Sequence, residues 1–405
     1  MDNWRDSKIE ELCTLHYGKS PKGIDSDDGI YPIYGTGGIV GSTNNYLYDQ
    51  PSIILGRKGS IGNIHYVNKP FWTIDTTFYV EAKNCDTKWL YYVFSSLNIE
   101  KLNEATGVPS LSRNNIYAQM LKAPSDQKEQ QKIAEILSTV DKKIDLIDQK
   151  IAETEKLKTG LMQKLFSEGI GVQDENGNWQ PHTEFRTTSI GQVPKTWQDA
   201  QIGDYVSELV SGVSVNSYDK QKTENEIGVL KTSAVIGGNF YPEFHKTVKP
   251  EDIARAKTTV KENTLVISRM NTPSLVGEFG YVSKDYNDLY LPDRLWMTVP
   301  TSKPHDVKAL SYLMQHYPVK KSIKELATGT SNSMKNISKG KFLAVYVPHI
   351  PYEEQMMIRE ILSTVDIKLE LLNKQKAETQ QLKKGLMQKL LTGEWRVPVE
   401  ETEAA

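Results

Sequence analysis

The 405 residues are more than one hydrophobic core ordinarily fills, so two globular domains with connecting elements are expected. A formal net charge of -2 excludes a chain that is basic overall, although a local basic face can sit inside a balanced total. Two cysteines, Cys13 and Cys85, rule out a disulfide framework or a cysteine-built zinc site. With no signal peptide and no apolar run near 18 residues, a soluble cytoplasmic protein is expected.

In chain order, residues 1–126 read as a first mixed α and β domain. Short strands are predicted at Ser52–Leu55, Ile64–Val67 and Thr76–Val80, bounded by Gly, Asn and Pro, with a helix from Thr87 to Leu97. Gly35-Thr36-Gly37-Gly38-Ile39-Val40-Gly41 is glycine-rich, but its spacing fails the dinucleotide fingerprint, and a turn or a close approach to DNA backbone is expected there. Arg57, Lys58 and Ser60 lie between two predicted strands, as a charged hairpin or as DNA-contacting donors. Ser112, Arg113 and Asn114 form a denser donor cluster after a Gly-x-Pro turn.

Residues 127–168 carry a helical pattern. Ile133, Leu137, Val140, Ile144, Ile147 and Ile151 alternate spacings of four and three, the seam of a coiled coil. Residues 169–194, rich in Gly, Asn, Gln and Pro, read as a surface linker. Residues 195–350 read as a second mixed domain, with strands at Val229–Leu230, Thr264–Ile267 and Leu295–Val299 and a helix from Val307 to Gln315. Its donor candidates are Arg269 and Asn271, then Asn332 and Lys335, with Lys231 and Arg294 as weaker ones. Residues 351–393 repeat the helix with a seam of Ile358, Leu362, Val365, Leu369 and Leu372, and residues 394–405 form a tail.

The two helical segments are copies. At a constant offset of 225, 23 of the 38 positions from Glu129 to Phe166 are identical to their counterparts from Glu354 to Leu391. The echo continues outside the helices: Trp4, Ile9, Leu12 and Gly18 against Trp197, Ile202, Tyr205 and Gly212, and Ala105-Thr106-Gly107 against Ala327-Thr328-Gly329. Two departures stand out on the seam. Ile151 is matched by Lys376, and Thr154 with Thr379 places a hydroxyl in both copies. Each apolar stripe needs a partner, and the other copy supplies one, giving an antiparallel two-helix coiled coil between two readers. A helix of 40 residues is about 60 Å long.

The Ala-Thr-Gly element, a proline, a Glu-Gln pair, Ile-Leu-Ser-Thr-Val-Asp and Gly-Leu-Met-Gln-Lys-Leu, written once at 105–165 and again at 327–390, resemble the specificity subunits of type I restriction-modification systems. Leu391-Thr392-Gly393-Glu394-Trp395-Arg396-Val397 is similar to that family's C-terminal ending. The resemblance implies an α+β chain with an internal pseudo-twofold repeat and two target recognition domains, each binding half of a split double-stranded DNA site. It also implies a chain that catalyses nothing and binds no cofactor or metal itself. It would recruit two modification subunits carrying S-adenosylmethionine, and restriction subunits using ATP and Mg2+.

The motifs that are missing fit this. There is no Pro-Pro for an amino-methyltransferase loop, no P-loop, no Gly-x-Ser-x-Gly elbow, and the seven histidines form no metal-binding pair. Because donors in matching loops differ, an asymmetric bipartite site is expected. The alternative is a coiled-coil scaffold or inhibitor that has lost DNA reading.

Overall fold

The computed structural model describes residues 3–329 and 334–398. The chain divides into two compact units, Met1–Lys150 with Leu372–Ala405, and Ile151–Leu371. The division cuts both long helices, Gln127–Glu168 and Tyr352–Leu390. Each unit therefore contains one reader, the start of the helix that follows it and the end of the other helix.

In the first unit, a four-stranded antiparallel sheet runs in the order Cys13–Tyr17, Thr77–Ala82, Ser52–Gly56, Ile64–Val67. The Ser-Ile-Ile-Leu-Gly strand is buried along its whole length, because both faces are covered. Ile53 and Leu55 face the main core with Phe78, Trp89 and Phe94, while Ile54 faces a small cluster with Val67 and Phe71. A smaller sheet joins Gly38–Thr43, Tyr31–Gly35 and Trp72–Thr73. Helix Thr87–Ser96 starts at Asp86, whose carboxylate accepts from Trp89 N at 2.7 Å.

The second unit repeats this frame with additions. Val206–Ser211, Leu295–Pro300, Thr264–Ser268 and Phe279–Val282 reproduce the four-stranded order, and two further short strands extend it to six. The small sheet grows to five strands. Asp306 caps helix Val307–Gln315 through Ala309 N as Asp86 does its counterpart. The glycine echo has a steric reason: a Cβ on Gly18 would collide with the carbonyl of Ile74, and one on Gly212 with the carbonyl of Leu291.

The repeated helix residues fasten reader to helix. Glu129, 2% exposed, accepts the indole N–H of Trp4 at 3.2 Å, and Glu354, 1% exposed, accepts that of Trp197 at 2.7 Å. Gln130 donates to Pro124 O and accepts from Asp86 N, and Gln355 donates to Ile350 O and accepts from Asp306 N. Tyr92 donates to Asp141 at 2.7 Å and Tyr312 to Asp366 at 2.6 Å. Burial, followed by these bonds to carboxylates, raises both phenol pKa values.

Within the first unit the helices run antiparallel: Asp141 pairs with Lys383 at 2.6 Å, and seven residues on, Asp148 pairs with Lys376 at 2.7 Å, seven residues back. In the second unit Lys158 pairs with Asp366 at 2.7 Å, the counterpart of the Asp141 pair.

At its ends the seam is shared with the readers. Ile133 and Leu137 are fully buried in the first reader's core beside Trp89, Leu390 and Leu391, and Ile358 and Leu362 occupy the same place in the second core with Leu165 and Phe166. They anchor the reader as well, because its apolar face and the end of the other helix close over them together. Ile147 and Val365 are buried, and Val140, Ile144, Ile151, Leu369 and Leu372 are half-buried. Lys376 replaces an apolar seam contact with the ion pair to Asp148. Thr379, 5% exposed, satisfies its hydroxyl on Gln375 O of its own helix.

Residues 169–194 are also more than a surface linker. They form two hairpins, Val172–Gln173 with Trp179–Gln180 and Phe185–Thr188 with Gly191–Pro194. Ile190 and Val193 join the second core, and Ile170 N, Gly171 N and His182 Nε2 all meet the buried carboxylate of Glu354. In the first unit that role belongs to Arg396, which forks onto Glu129 at 2.8 and 2.9 Å.

Candidate DNA interface

In both readers the central strand of the main sheet ends in an arginine. Arg57 follows Ser52–Gly56 and Arg269 follows Thr264–Ser268. The carbonyl of each accepts a backbone N–H from a buried apolar residue at 2.9 Å, Leu111 onto Arg57 and Ile337 onto Arg269. The two arginines are thus structural equivalents.

In the first reader the donors converge. Lys58 bridges Ser110, and Gly59 N donates to Pro109 O, so the loop carrying Arg57, Lys58 and Ser60 lies against the segment leading to Ser112. Arg113 and Arg57 both lie over the ring of Tyr17, with guanidinium carbons 4.3 and 5.3 Å from its centroid. Their hydrogen bonds run to backbone carbonyls, Leu15 O for Arg113 and Asp75 O for Arg57. Such bonds orient the guanidinium planes without neutralising their charge. Lys58, Ser60 and Asn114 are exposed. Ser112 is occupied differently: its hydroxyl accepts Asn115 N and caps helix Arg113–Tyr117.

In the second reader, the Arg269 guanidinium lies over Trp296 at 5.9 Å, and the Arg269 backbone N–H donates to the carbonyl of Arg294. Asn271 stands opposite Lys335 in a two-residue strand pairing. The Asn271 side chain is engaged locally, donating to Ser268 Oγ and accepting Thr272 N. Lys335 donates to Gly329 O. Asn332 lies outside the described residues. Lys231 pairs with Asp219 at 3.0 Å, the solvated ion pair expected of a surface lysine, and it stands apart from the Arg269 group in sheet and strand.

The family profile for the type I restriction modification DNA specificity domain matches residues 1–156 and again residues 194–381. The chain belongs to this family. As a type I specificity chain, it serves the DNA sequence specificity of a restriction-modification system. It is 25% identical to the type I restriction enzyme MjaVIII specificity subunit of Methanocaldococcus jannaschii, over 98% of this chain and 94% of that one. It is 28% identical to the putative MjaX specificity subunit of the same organism, over 75% of this chain and 66% of the relative. In fold it is similar to the crystal structure of the type I restriction-modification S subunit from M. genitalium, with a TM-score of 0.62 at 17% identity and 96% of each chain covered.

Two features of this specificity chain escape a sequence reading. Tyr17 is the platform of the first arginine pair, and only its place beside Gly18 hints at it. The counterpart of Arg113 is Lys339, because Leu111 and Ile337 are equivalent and the helices Arg113–Tyr117 and Lys339–Leu343 follow two residues later in each case. Loop length hides this register in the sequence: eight residues separate Gly329 from Ile337, against four from Gly107 to Leu111. Among the described residues, no helix is long and apolar enough to cross a membrane, and no group of three or more His, Cys, Asp or Glu is placed to hold a metal ion.

Proposed function

We propose that each reader binds one half of an asymmetric bipartite DNA site, with Arg57, Arg113 and Tyr17 at the first half and Arg269, Arg294, Lys335 and Lys339 at the second. The observation that carries this is the equivalence of Arg57 and Arg269. One frame presents a cation at the same strand end in both readers but sets it against different side chains, Tyr17 shared with Arg113 in one and Trp296 in the other. Base-edge readout needs side-chain donors held in fixed directions, and unlike donors select unlike bases.

The chain itself catalyses nothing in this reading and binds no cofactor. The long helices set the half-site spacing and dock two modification subunits. Exposed leucines support docking of two copies, because they obey the same offset of 225: Leu146 and Leu371 are 57% and 61% exposed, Leu157 and Leu382 are 50% and 53% exposed. Each unit carries one of them from either helix. S-adenosylmethionine sits on the modification subunits, and ATP with Mg2+ on restriction subunits.

The test is methylation by the chain assembled with its modification subunit and S-adenosylmethionine, read by sequencing modified adenines. A split motif with unlike halves is expected. Methylation at an uninterrupted motif refutes the reading.

A further inference from the structure

The first reader carries an exposed apolar hairpin tip that the donor cluster does not use. Strands Tyr31–Gly35 and Gly38–Thr43 are joined through Thr36 and Gly37, with Gly38 at φ +119°, a conformation that favours glycine. Just beyond the turn, Ile39 and Val40 are 66% and 62% exposed. Two adjacent β-branched aliphatic side chains held out in water on a rigid turn gain nothing from folding.

The tip is fixed to the DNA-facing cluster. Asn63 donates from its side chain to Thr36 O at 3.1 Å, and its own carbonyl accepts Gly56 N, the residue before Arg57. On the other side, Ile74 N and Thr73 Oγ1 donate to Tyr34 O, while Arg57 is bonded to Asp75 O and Thr76 O. Segment 73–76 thus holds the apolar tip and the Arg57 guanidinium in one rigid group. In the second reader the matching strands Gly228–Leu230 and His245–Val248 are joined by residues 231–244 instead of two residues.

We infer that Ile39 and Val40 read thymine in the first half-site by contact with its 5-methyl group. This rests on the DNA-reading function proposed above. The occupant follows from chemistry: among base edges in the grooves, the thymine methyl is the apolar group on offer, and aliphatic contacts recognise it.

The experiment compares methylation rates of the complete complex on duplexes whose first-half thymines are replaced one at a time by deoxyuridine, for the wild-type chain and for the Ile39→Ala/Val40→Ala variant. In the wild type, at least one deoxyuridine position lowers the rate about fourfold, the ratio for one buried methyl group. The variant shows a similar loss on the thymine duplex and no further loss with deoxyuridine, and changes in the second half act on both alike. A wild-type rate in the variant, an equal loss on every duplex, or a first half without an A·T pair overturns the inference. An absent bipartite motif in the wild type overturns the DNA-reading function as well. Both side chains are exposed, so the unfolding midpoint should not move, which separates lost contact from lost fold.

Discussion

Trp197 donates its indole N–H to the buried carboxylate of Glu354 at 2.7 Å, and this bond ties the start of the second reader to the start of the second long helix. The same carboxylate collects Ile170 N, Gly171 N and His182 Nε2. A buried carboxylate surrounded by donors leaves all of them unsatisfied when it is removed.

Glu354→Ala is therefore expected to destabilise the second unit by about 3–5 kcal/mol, and Trp197→Phe, which removes one donor and leaves the others, by about 2 kcal/mol. Urea unfolding followed by fluorescence checks both. Arg396→Ala should act on the first unit in the same way, because it leaves Glu129 buried with the indole of Trp4 as its remaining side-chain donor among the bonds described above. Equal midpoints for Glu354→Ala and wild type would remove the fastening role.

These fastenings explain what a reader of the sequence can and cannot recover. The Glu-Gln pair and the Asp that ends the Ile-Leu-Ser-Thr-Val-Asp run stand out because each has a reader partner that occurs twice, while the Ser and Thr of the run bond a carbonyl of their own helix in both copies. Gly18 and Gly212 are legible for a similar reason, each lying under a carbonyl. The seam tells only part at Ile133 and Ile358, since periodicity reports an apolar face without saying that a reader covers it together with the other helix. Arg57 and Arg269 could be matched by their place after an apolar strand. Lys339 could not be matched to Arg113, because the loop before it is four residues longer and only the backbone bonds of Leu111 and Ile337 restore the register. Tyr17 was hidden because stacking partners come from segments about 40 and 96 residues away.

His316 gives the second unit a pH dependence. Its ring is 8% exposed, packs against Phe166 and leaves Nδ1 without a hydrogen-bond partner, and burial pushes its pKa down to about 4. Above pH 6.5 the ring is neutral whether the chain is folded or unfolded, so this group adds no slope. As pH falls from about 6.5 to about 4, the unfolded chain binds a proton that the folded chain refuses, and stability drops by up to about 3 kcal/mol. His316→Phe should flatten that part of a stability-against-pH curve, measured by urea midpoints. A variant with the wild-type slope would place the effect elsewhere.

Both thiols should be inert in the folded chain. Burial pushes Cys13 up to about 12 and Cys85 up to about 11, and each donates to a backbone carbonyl, Ile9 O and Leu12 O. Since the thiolate is the nucleophile, a thiol reagent at pH 8 should label neither residue in native protein and both in denaturant. Rapid native labelling would show that this core opens far more readily than its packing allows.

In the proposed DNA-reading function the donor face of the first reader divides into positioning and reading, and substitutions there should separate too. Arg113 is held over Tyr17, its guanidinium carbon 4.3 Å from the ring centroid, and a guanidinium can offer a base edge a fork of N–H donors, whereas Lys58 is an exposed point charge on the adjoining loop. Arg113→Ala is expected to cost the assembled complex about 1–3 kcal/mol and to relax base preference in the first half of the motif alone. Lys58→Ala should leave the motif intact and lower the slope of log affinity against log salt by about one. Arg113→Lys retains the charge but loses the fork and its stacking, so it should behave like the alanine variant in specificity while keeping the wild-type salt slope. Binding to duplex libraries at several salt concentrations resolves the three variants, and a motif unchanged in Arg113→Lys would assign this arginine to the phosphates.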